Sequence, residues 1–459
     1  MKKLLATALA ALLMTAGCVS VAPLPTPTNQ PTSTPGQPPT PTATLAPPTA
    51  TPSPAPSVSA GPGGTPPTSP PQTPRASVDP TLAAQIDAVT ATVPAVRELR
   101  ATADVPYEFI SRDQFRNDLL ELVDEDVPVE VRAAEERLLK HLGLLPADAD
   151  MEALMVELYG AQVAAYYRPD NGRFYIIERD QPFGASDKIV VAHEYTHALQ
   201  DQHFDLEAKQ IKDPFEGDAA LGQLAMIEGD ATLTSQLWAS ENLTPEEFFE
   251  LLTEALGGLD QDPLEGMPLI LRRQLEFPYV EGSLFVNGLY DQGGYDAVNE
   301  AIQAPPASTE QILHPEKYAA GEAPVAIPLV DFSASLGAGW SRVYEQTVGE
   351  LGIQIFAGGG EEPEVSIPGL PADWPHAEVA AGWGGDRLHM YEGPNDTWLI
   401  DWQTAWDTQQ DADEFSARMI ELVPTFQGHV IVEPGSQPDS IHFLLANDVE
   451  TMDLVQPPR

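Results

Sequence analysis

The feature that most constrains this chain is the pentapeptide His193-Glu194-Tyr195-Thr196-His197, which lies in a stretch with the apolar pattern of a helix. On a helix, side chains four residues apart project from the same face, one turn apart. His193 and His197 can therefore direct two imidazoles at one metal ion, with Glu194 beside them to accept a proton from water. Zinc (Zn2+) is the expected metal, because it binds neutral imidazole and carboxylate and keeps one position open for water.

The same pentapeptide can arise by chance in a chain that has nine histidines and many acidic residues. In that case His193 and His197 would be solvated side chains on a surface helix. The flanking sequence favours the metal site, because residues 188–192 form a largely apolar lead-in and Leu199 falls on the opposite side of the helix from the histidines. The helix that bears the pair is thus expected to have a buried apolar face.

The region around the motif is predicted to be mostly helical, with one β-hairpin. The turn signal Asn171-Gly172 separates two runs that favour β structure, 163–168 and 173–177. The hairpin is a candidate to pair with an extended peptide, or else a purely structural element. Helical periodicity covers the segments 82–101, 112–125, 128–143, 149–160, 215–242, 246–257, 267–276, 281–291 and 295–303.

The last part of the chain differs from the mostly helical part before it, because strands are predicted in it as well as helices. Residues 330–459 are predicted to form a small α+β domain, which follows a mostly helical domain at 81–320, so the fold class is α+β. The predicted helices are 340–356 and 411–423, and the predicted strands are 387–391, 397–402, 429–432 and 440–444. The acidic residues near 411 lack the spacing of a calcium loop, so they favour a helix start over a calcium site; they are Asp407, Asp411, Asp413 and Glu414.

The N-terminal segment 1–18 resembles the signal peptide of a bacterial lipoprotein. Two lysines precede an apolar stretch that is too short to span a membrane in the mature protein, and Cys18 follows Thr15-Ala16-Gly17 as in a lipobox, apart from the threonine. Cys18 is the only cysteine, so no disulfide within the chain is possible. The resemblance implies that a lipid on Cys18 anchors the protein to the membrane; the alternative is a removed secretory signal with an incidental cysteine.

Residues 19–80 are rich in proline and threonine and nearly free of charge until Arg75 and Asp79. Such a composition cannot bury a core, so a disordered, extended linker is expected. The whole chain carries a net charge of −46 at pH 7, which argues against nonspecific binding of nucleic acid. With the signal segment, these features predict an extracytoplasmic protein that is lipid-anchored to the bacterial cell membrane.

A catalytic zinc ion needs a third protein ligand from elsewhere in the chain. The string Glu228-Gly229-Asp230-Ala231, on the next predicted helix, resembles the E-G-x-A string of the gluzincins, zinc metallopeptidases of the peptidase MA superfamily. The resemblance is specific at the motif positions and looser over residues 163–303. It implies a zincin fold, with His193, His197 and Glu228 as zinc ligands and Glu194 as general base.

Four other side chains are alternatives for the third ligand: His203, Asp205, Glu216 and Asp218. Metzincins have a histidine six residues after the second motif histidine, where His203 lies, but Gln200 replaces the glycine that turns their chain back. The helix should therefore carry His203 away from the metal. Thermolysin-like gluzincins also have an aspartate four residues after the third ligand. Thr232 occupies that position here, and Asp230 is expected on a different face of the helix.

The string Pro278-Tyr279-Val280-Glu281-Gly282 resembles the P-Y-x-x-G string of zinc aminopeptidases in the same superfamily. The resemblance implies that Tyr279 stabilises the oxyanion of the tetrahedral intermediate; the alternative is a tyrosine packed at a helix start. His314 is another candidate oxyanion donor, but a role in anchoring a loop is favoured. No string like the G-x-M-E-N of aminopeptidases is present, which favours an endopeptidase.

Together these features predict a membrane-tethered, extracytoplasmic zinc metallopeptidase that hydrolyses peptide bonds. Its partners would be a peptide or protein substrate and, through Cys18, the membrane. The alternative is a catalytically silent zincin-like lipoprotein that acts as a binding or scaffold protein of the cell envelope. Hydrolysis of a non-peptide substrate at the same site is a third hypothesis. No member of the motif is missing, which favours the enzyme.

Overall fold

The computed structural model describes residues 79–178, 182–258, 264, 266–328, 330–363 and 372–455. The predicted signal segment with Cys18 and nearly all of the predicted 19–80 linker lie outside these residues. Helices predominate and are accompanied by two small sheets, so the fold class is α+β, as the sequence predicts.

The chain is mainly helical from residue 80 to residue 320. Most of these helices match the predicted segments, but the predicted 82–101 helix is split in two, and the predicted break after residue 276 is absent. The helices are α1 (Pro80–Thr90), α2 (Val93–Val96), α3 (Arg112–Asp126), α4 (Val129–His141), α5 (Met151–Gln162), α6 (Ala185–Phe204), α7 (Leu206–Lys209), α8 (Gly217–Asn242), α9 (Pro245–Gly258), α10 (Leu269–Gln303), α11 (Thr309–Leu313) and α12 (Pro315–Ala320).

Pro278 interrupts the sequence pattern of α10 but does not end the helix. A proline removes one backbone donor and crowds the preceding turn, which usually bends or stops a helix. Pro278 is buried together with Phe277 and Tyr279, so packing holds the helix together on both sides of it. The backbone leaves the helical conformation only at Gly293 and Gly294, where φ is −152° and 62°.

The first sheet has the strand order β1-β3-β2 and consists of β1 (Tyr107–Ile110), β2 (Ala165–Arg168) and β3 (Arg173–Ile177). β2 and β3 form the predicted antiparallel hairpin, with Gly172 at a φ of +64° that favours glycine. β1 pairs in parallel with β3, and its four residues are too few to predict a strand from the sequence pattern. β2 is left at the edge of the sheet, where it packs against α6.

The second sheet is antiparallel, with the strand order β4-β5-β6-β8-β7. The strands and the 411–423 helix predicted here are confirmed. The strands are β4 (Ser341–Gln346), β5 (Trp383–Glu392), β6 (Trp398–Trp406), β7 (His429–Pro434) and β8 (Ser440–Ala446). The helices are α13 (Ser333–Leu336), α14 (Gly349–Gly358), α15 (Ala377–Ala380), α16 (Gln409–Leu422) and α17 (Val449–Val455), with 3₁₀ turns at Pro394–Asp396 and Val423–Thr425.

The prediction of a single helix over residues 340–356 is wrong in its first half. Residues 341–346 form β4, which pairs with β5, and α14 begins only at Gly349. Gly349 has a φ of +74°, and a Cβ there would lie 1.8 Å from Oδ1 of Asp218. Pairing with a distant strand therefore overrides the local helical pattern, and a glycine is needed where the strand turns into the helix.

Three buried cores hold the described elements together. The first lies among the first sheet, α6, α8 and α10, the second lies against the second sheet, and a smaller third joins α13 and α17 to strands of the second sheet. Ala134, Leu138 and Leu142, on or directly after α4, belong to the second core. A helix from the first half of the chain therefore completes the packing of the C-terminal sheet. None of the helices within the described ranges combines the length and hydropathy that a membrane-spanning segment requires.

Candidate metal centre

Helix α6 carries the motif pentapeptide and is buried along most of its length. Its first turn is fixed by Asp187, whose carboxylate accepts the N–H of Gly184 at 2.9 Å. His193, Glu194 and His197 are at most 1% exposed. The alternative of two solvated histidines on a surface helix is therefore wrong.

Helices α8 and α10 cross where two glycines meet, and this crossing brings Glu228 to the motif. A Cβ at Gly229 would lie 2.3 Å from the carbonyl oxygen of Gly282, and a Cβ at Gly282 would lie 2.4 Å from that of Ala225. Real side chains are not found at such distances, so both positions require glycine. The close approach leaves Glu228 fully buried and facing His193 and His197.

Three side-chain atoms converge in the cluster. The Nε2 atoms of His193 and His197 are 3.0 Å apart, and Oε2 of Glu228 lies 3.1 Å and 3.4 Å from them. In a tetrahedral site with zinc–ligand bonds of about 2.0–2.1 Å, neighbouring ligand atoms lie about 3.3 Å apart. The triangle of donor atoms therefore has nearly the dimensions of one face of a zinc tetrahedron.

Several polar atoms of the cluster have no hydrogen-bond partner among the described residues: Nδ1 of His193, Oε1 of Glu194 and Oε1 of Glu228. Buried polar atoms are nearly always hydrogen-bonded, and exceptions point to an ion, a ligand or water. Burial lowers the pKa of His193 to about 4, which favours the neutral imidazole that binds metals. At His197 burial also acts to lower the pKa, but the charge and hydrogen bond of Glu228 outweigh it and raise that pKa. The donor set, its spacing and its unsatisfied atoms all fit a zinc ion.

A hydrogen bond between Nδ1 of His197 and Gln200 fixes the orientation of the His197 ring. Nε2 of Gln200 donates to the carbonyl of Ile227 at 3.0 Å and to Asp230 at 2.7 Å. Oε1 of Gln200 is therefore left to accept from Nδ1 of His197, at 2.8 Å. With the proton on Nδ1, the lone pair of Nε2 is available to a metal. Gln200 thus takes the part that a carboxylate often plays beside a metal-bound imidazole.

Asp230 is in turn held by Arg97, which follows α2. Nε of the fully buried Arg97 lies 2.8 Å and 3.0 Å from the two oxygens of Asp230. Asp230, expected on a different helix face from the ligands, thus reaches His197 through Gln200. Thr232 has no partner for Oγ1 within the described part of the chain. The sequence pattern predicts only part of this support: Gln200 lies one turn after His197, a recognisable spacing, whereas no pattern connects Arg97 with the site.

Glu194 lies against the edge strand β2. Its Oε2 accepts the backbone N–H of Tyr167 at 3.0 Å. Burial, followed by the charge of Glu228, raises the pKa of Glu194 well above its usual range, and the N–H of Tyr167 acts in the opposite direction. A divalent cation on the neighbouring donors would oppose the raised pKa. Through the N–H of Tyr167, the hairpin therefore holds the side chain of Glu194 in place. The pairing of the hairpin with an extended peptide stays a prediction.

The structure brings Tyr279 to the cluster but not His314. The ring centroid of Tyr279 lies 6.2 Å from that of His193, and the side chain is buried. His314 is bonded to Glu350 of α14 at 2.8 Å. This contact, between the α11–α12 junction and α14, agrees with the loop-anchoring role.

None of the four alternative third ligands belongs to either group of described residues that could hold a metal ion. Each has another partner or role. His203 bonds the carbonyl of Arg100, Asp205 caps α7, Glu216 pairs with Arg387, and Asp218 accepts from Thr309.

Two further groups of acidic side chains in the described part of the chain have protein partners. Glu310, Glu322 and Asp407 surround the ammonium group of Lys317 at 2.6–2.9 Å, so a side chain already balances their charge. Asp411 forms a capping box with Thr408 at the start of α16, which agrees with a helix start rather than a calcium loop.

The comparisons with known proteins give a match only in the region of the second sheet and the helices packed against it. A family model described as "Domain of unknown function (DUF8575)" matches residues 337–443, from just before β4 into β8. No curated protein and no solved structure matches the chain. The match leaves the helices of the metal centre outside its bounds, so the reading of the site depends on its geometry and on the motif resemblance.

Proposed function

We propose that this protein is a membrane-tethered, extracytoplasmic zinc metallopeptidase of the gluzincin type that acts as an endopeptidase. The observation that carries the proposal is the buried triangle of Nε2, Nε2 and Oε2 atoms, with sides of 3.0, 3.1 and 3.4 Å. The carboxyl group of Glu194 lies beside the ligands, with Oε1 unpaired within the described ranges. A silent scaffold has no need of such a group, so hydrolysis is the favoured function.

His193, His197 and Glu228 would hold the zinc, which when bound polarises the scissile carbonyl and makes water a nucleophile at neutral pH. Glu194 takes the proton from the attacking water and delivers it to the leaving nitrogen. The N–H of Tyr167 holds Oε2 of Glu194 in place during both transfers. Tyr279 donates its hydroxyl to the oxygen on which negative charge develops.

The test of this function is elemental analysis of the purified full-length protein, together with digestion of a diverse peptide library. One zinc per chain is expected, with cleavage that stops on chelation and returns when zinc is added. One zinc without cleavage of any peptide would favour the silent scaffold. Cleavage that survives complete removal of zinc would contradict the metallopeptidase.

The membrane tether is assigned from the sequence, since Cys18 lies outside the described residues. One acyl chain gives only marginal membrane binding, so two or three chains are expected. Mass spectrometry of the mature N-terminus should therefore show a diacylated or triacylated Cys18. Cys18→Ser should move the protein to the soluble fraction. An unmodified chain that begins at another residue would indicate an ordinary secreted enzyme with the same metal centre.

A further inference from the structure

A cavity of about 290 Å³ adjoins the metal centre. His197 and Tyr167 form part of its wall, as do Leu224 and Ile227 on the turn of α8 that precedes Glu228. An apolar cavity of about 150 Å³ is enough to bind benzene. The space beside the metal centre therefore has room for more than one side chain.

The wall of the cavity combines both halves of the chain. Helices α4, α5, α8 and α10 contribute to it from the first half. Val348, Leu351, Phe356 and Trp402 contribute to it from the region of the second sheet. Most of the lining side chains are apolar. Because protein interiors otherwise contain few voids larger than a water molecule, a cavity of this size next to a metal centre is suited to hold a ligand.

The chemistry of the wall indicates what that ligand is. Binding to an apolar wall is favourable for a ligand with apolar side chains, because apolar surface is removed from water. A charged side chain buried there would lose its hydration without compensation. The net charge of −46 also disfavours an acidic ligand. A peptide bound beside His197 and Tyr167, which line the cavity, would reach it with the side chains next to the scissile bond.

We propose that the region of the second sheet supplies one wall of the substrate-binding cavity, and that the site selects peptides with several bulky apolar side chains next to the scissile bond. This inference rests on the proposed peptidase function. It gives residues 337–443, which match a family of unknown function, a role in recognising substrate. The metal ligands and the selecting wall then come from opposite halves of the chain.

The test measures binding rather than turnover. The Glu194→Gln protein is titrated into a fluorescein-labelled octapeptide with three consecutive leucines, and into the same peptide with three alanines. Fluorescence anisotropy should give a Kd at least about tenfold lower for the leucine peptide, since burying even one leucine side chain is worth about that factor. A second probe, a fluorescent dodecanoate, tests for an acyl chain as the ligand instead.

Two substitutions fill the cavity from lining positions in different halves of the chain, and a third is the control. Val348→Trp acts from the region of the second sheet and Leu224→Trp from α8; each should bring the leucine-to-alanine affinity ratio to about one. Val449→Trp, at a position 53% exposed on α17, should leave the ratio unchanged. Circular dichroism and zinc content establish that each variant is folded.

The outcomes separate the cavity from the catalysis. Equal affinities for the two peptides, or an unchanged ratio in both folded filling variants, would overturn the inference even if peptides are cleaved. Selective binding of the leucine peptide by a protein that cleaves nothing would support the cavity and reject the peptidase. Dodecanoate binding that depends on Val348, without binding of the leucine peptide, would show that the ligand is an acyl chain and that the peptide assignment is wrong.

Discussion

The carboxylates of Asp386 and Glu228 are both buried, yet they differ in how their oxygens are satisfied. Asp386 accepts four hydrogen bonds at 2.9–3.0 Å, from the backbone N–H groups of Val348 and Gly349 and the indoles of Trp383 and Trp402. Glu228 meets only the two histidine Nε2 atoms, and its Oε1 has no partner in the described part of the chain.

We interpret the difference as that between a structural carboxylate and one that would bind the proposed metal ion. A buried carboxylate is tolerated when donors replace the water that it loses, as they do around Asp386. At the proposed metal centre, atoms of His193, Glu194 and Glu228 instead lack a hydrogen-bond partner within the described ranges. An ion of two positive charges would compensate that cluster, whereas Asp386 needs no partner beyond its four donors.

The largest expected effect is loss of the metal. His197→Ala removes one corner of the ligand triangle, so zinc should fall from one per chain to near zero and turnover to the detection limit. His203→Ala is the matched control, since His203 lies on the same helix and bonds the carbonyl of Arg100. Elemental analysis after gel filtration measures both. A Glu228→Ala protein that keeps full zinc, while His203→Ala loses it, would reject the gluzincin ligand set.

Replacing the general base should reduce turnover without loss of metal. Glu194→Gln keeps an acceptor for the N–H of Tyr167 but cannot take a proton, so kcat should fall about 10²–10⁴-fold. Zinc content and thermal stability should remain close to those of the wild type. Peptide hydrolysis at nearly the wild-type rate would rule out Glu194 as the base.

Asp386→Asn should lower the stability of the protein, which Glu194→Gln is expected to leave unchanged. The amide nitrogen would face two N–H donors that the carboxylate now accepts, which should lower the free energy of unfolding by about 2–4 kcal/mol. Zinc content per folded molecule should not change. Urea denaturation of Asp386→Asn beside Glu194→Gln compares a buried carboxylate that accepts four hydrogen bonds with one at the candidate site that has an unpaired oxygen within the described ranges. If Glu194→Gln destabilises the protein more than Asp386→Asn, the contrast between structural and functional carboxylates fails.

The smallest expected effect concerns the support behind His197. Gln200→Ala removes the acceptor for Nδ1, and such losses typically weaken metal binding by about 10–100-fold. Gln202→Ala, on the same helix but bonded to Thr102 and Ala103, should leave the affinity unchanged. Competition for zinc with a chromogenic chelator gives the affinities. Equal affinities in the two variants would mean that His197 does not depend on Gln200 for its orientation.

The elements that follow local rules could be predicted from the sequence. Asn171-Gly172 marks the hairpin because few other residues adopt that turn. Helices α4 and α16 bury residues at helical spacing, so the apolar pattern of the sequence predicts them. Residues 341–346 form a strand instead of the predicted helix, because pairing with β5 outweighs their pattern. Pro278 stays within α10 because the packing around it offsets the lost backbone bond.

For the candidate site, the sequence by itself determined the pair His193 and His197 with Glu194 beside them, because the spacing of side chains along a helix is a local property. Only the tertiary structure decided that Glu228 meets this pair, since that depends on the crossing of α8 and α10 at Gly229 and Gly282. The support through Gln200, Asp230 and Arg97 and the cavity wall from the second sheet also depend on contacts between distant segments. Such contacts leave no periodic trace in a single sequence, because each needs only one residue of the right size or charge on each segment.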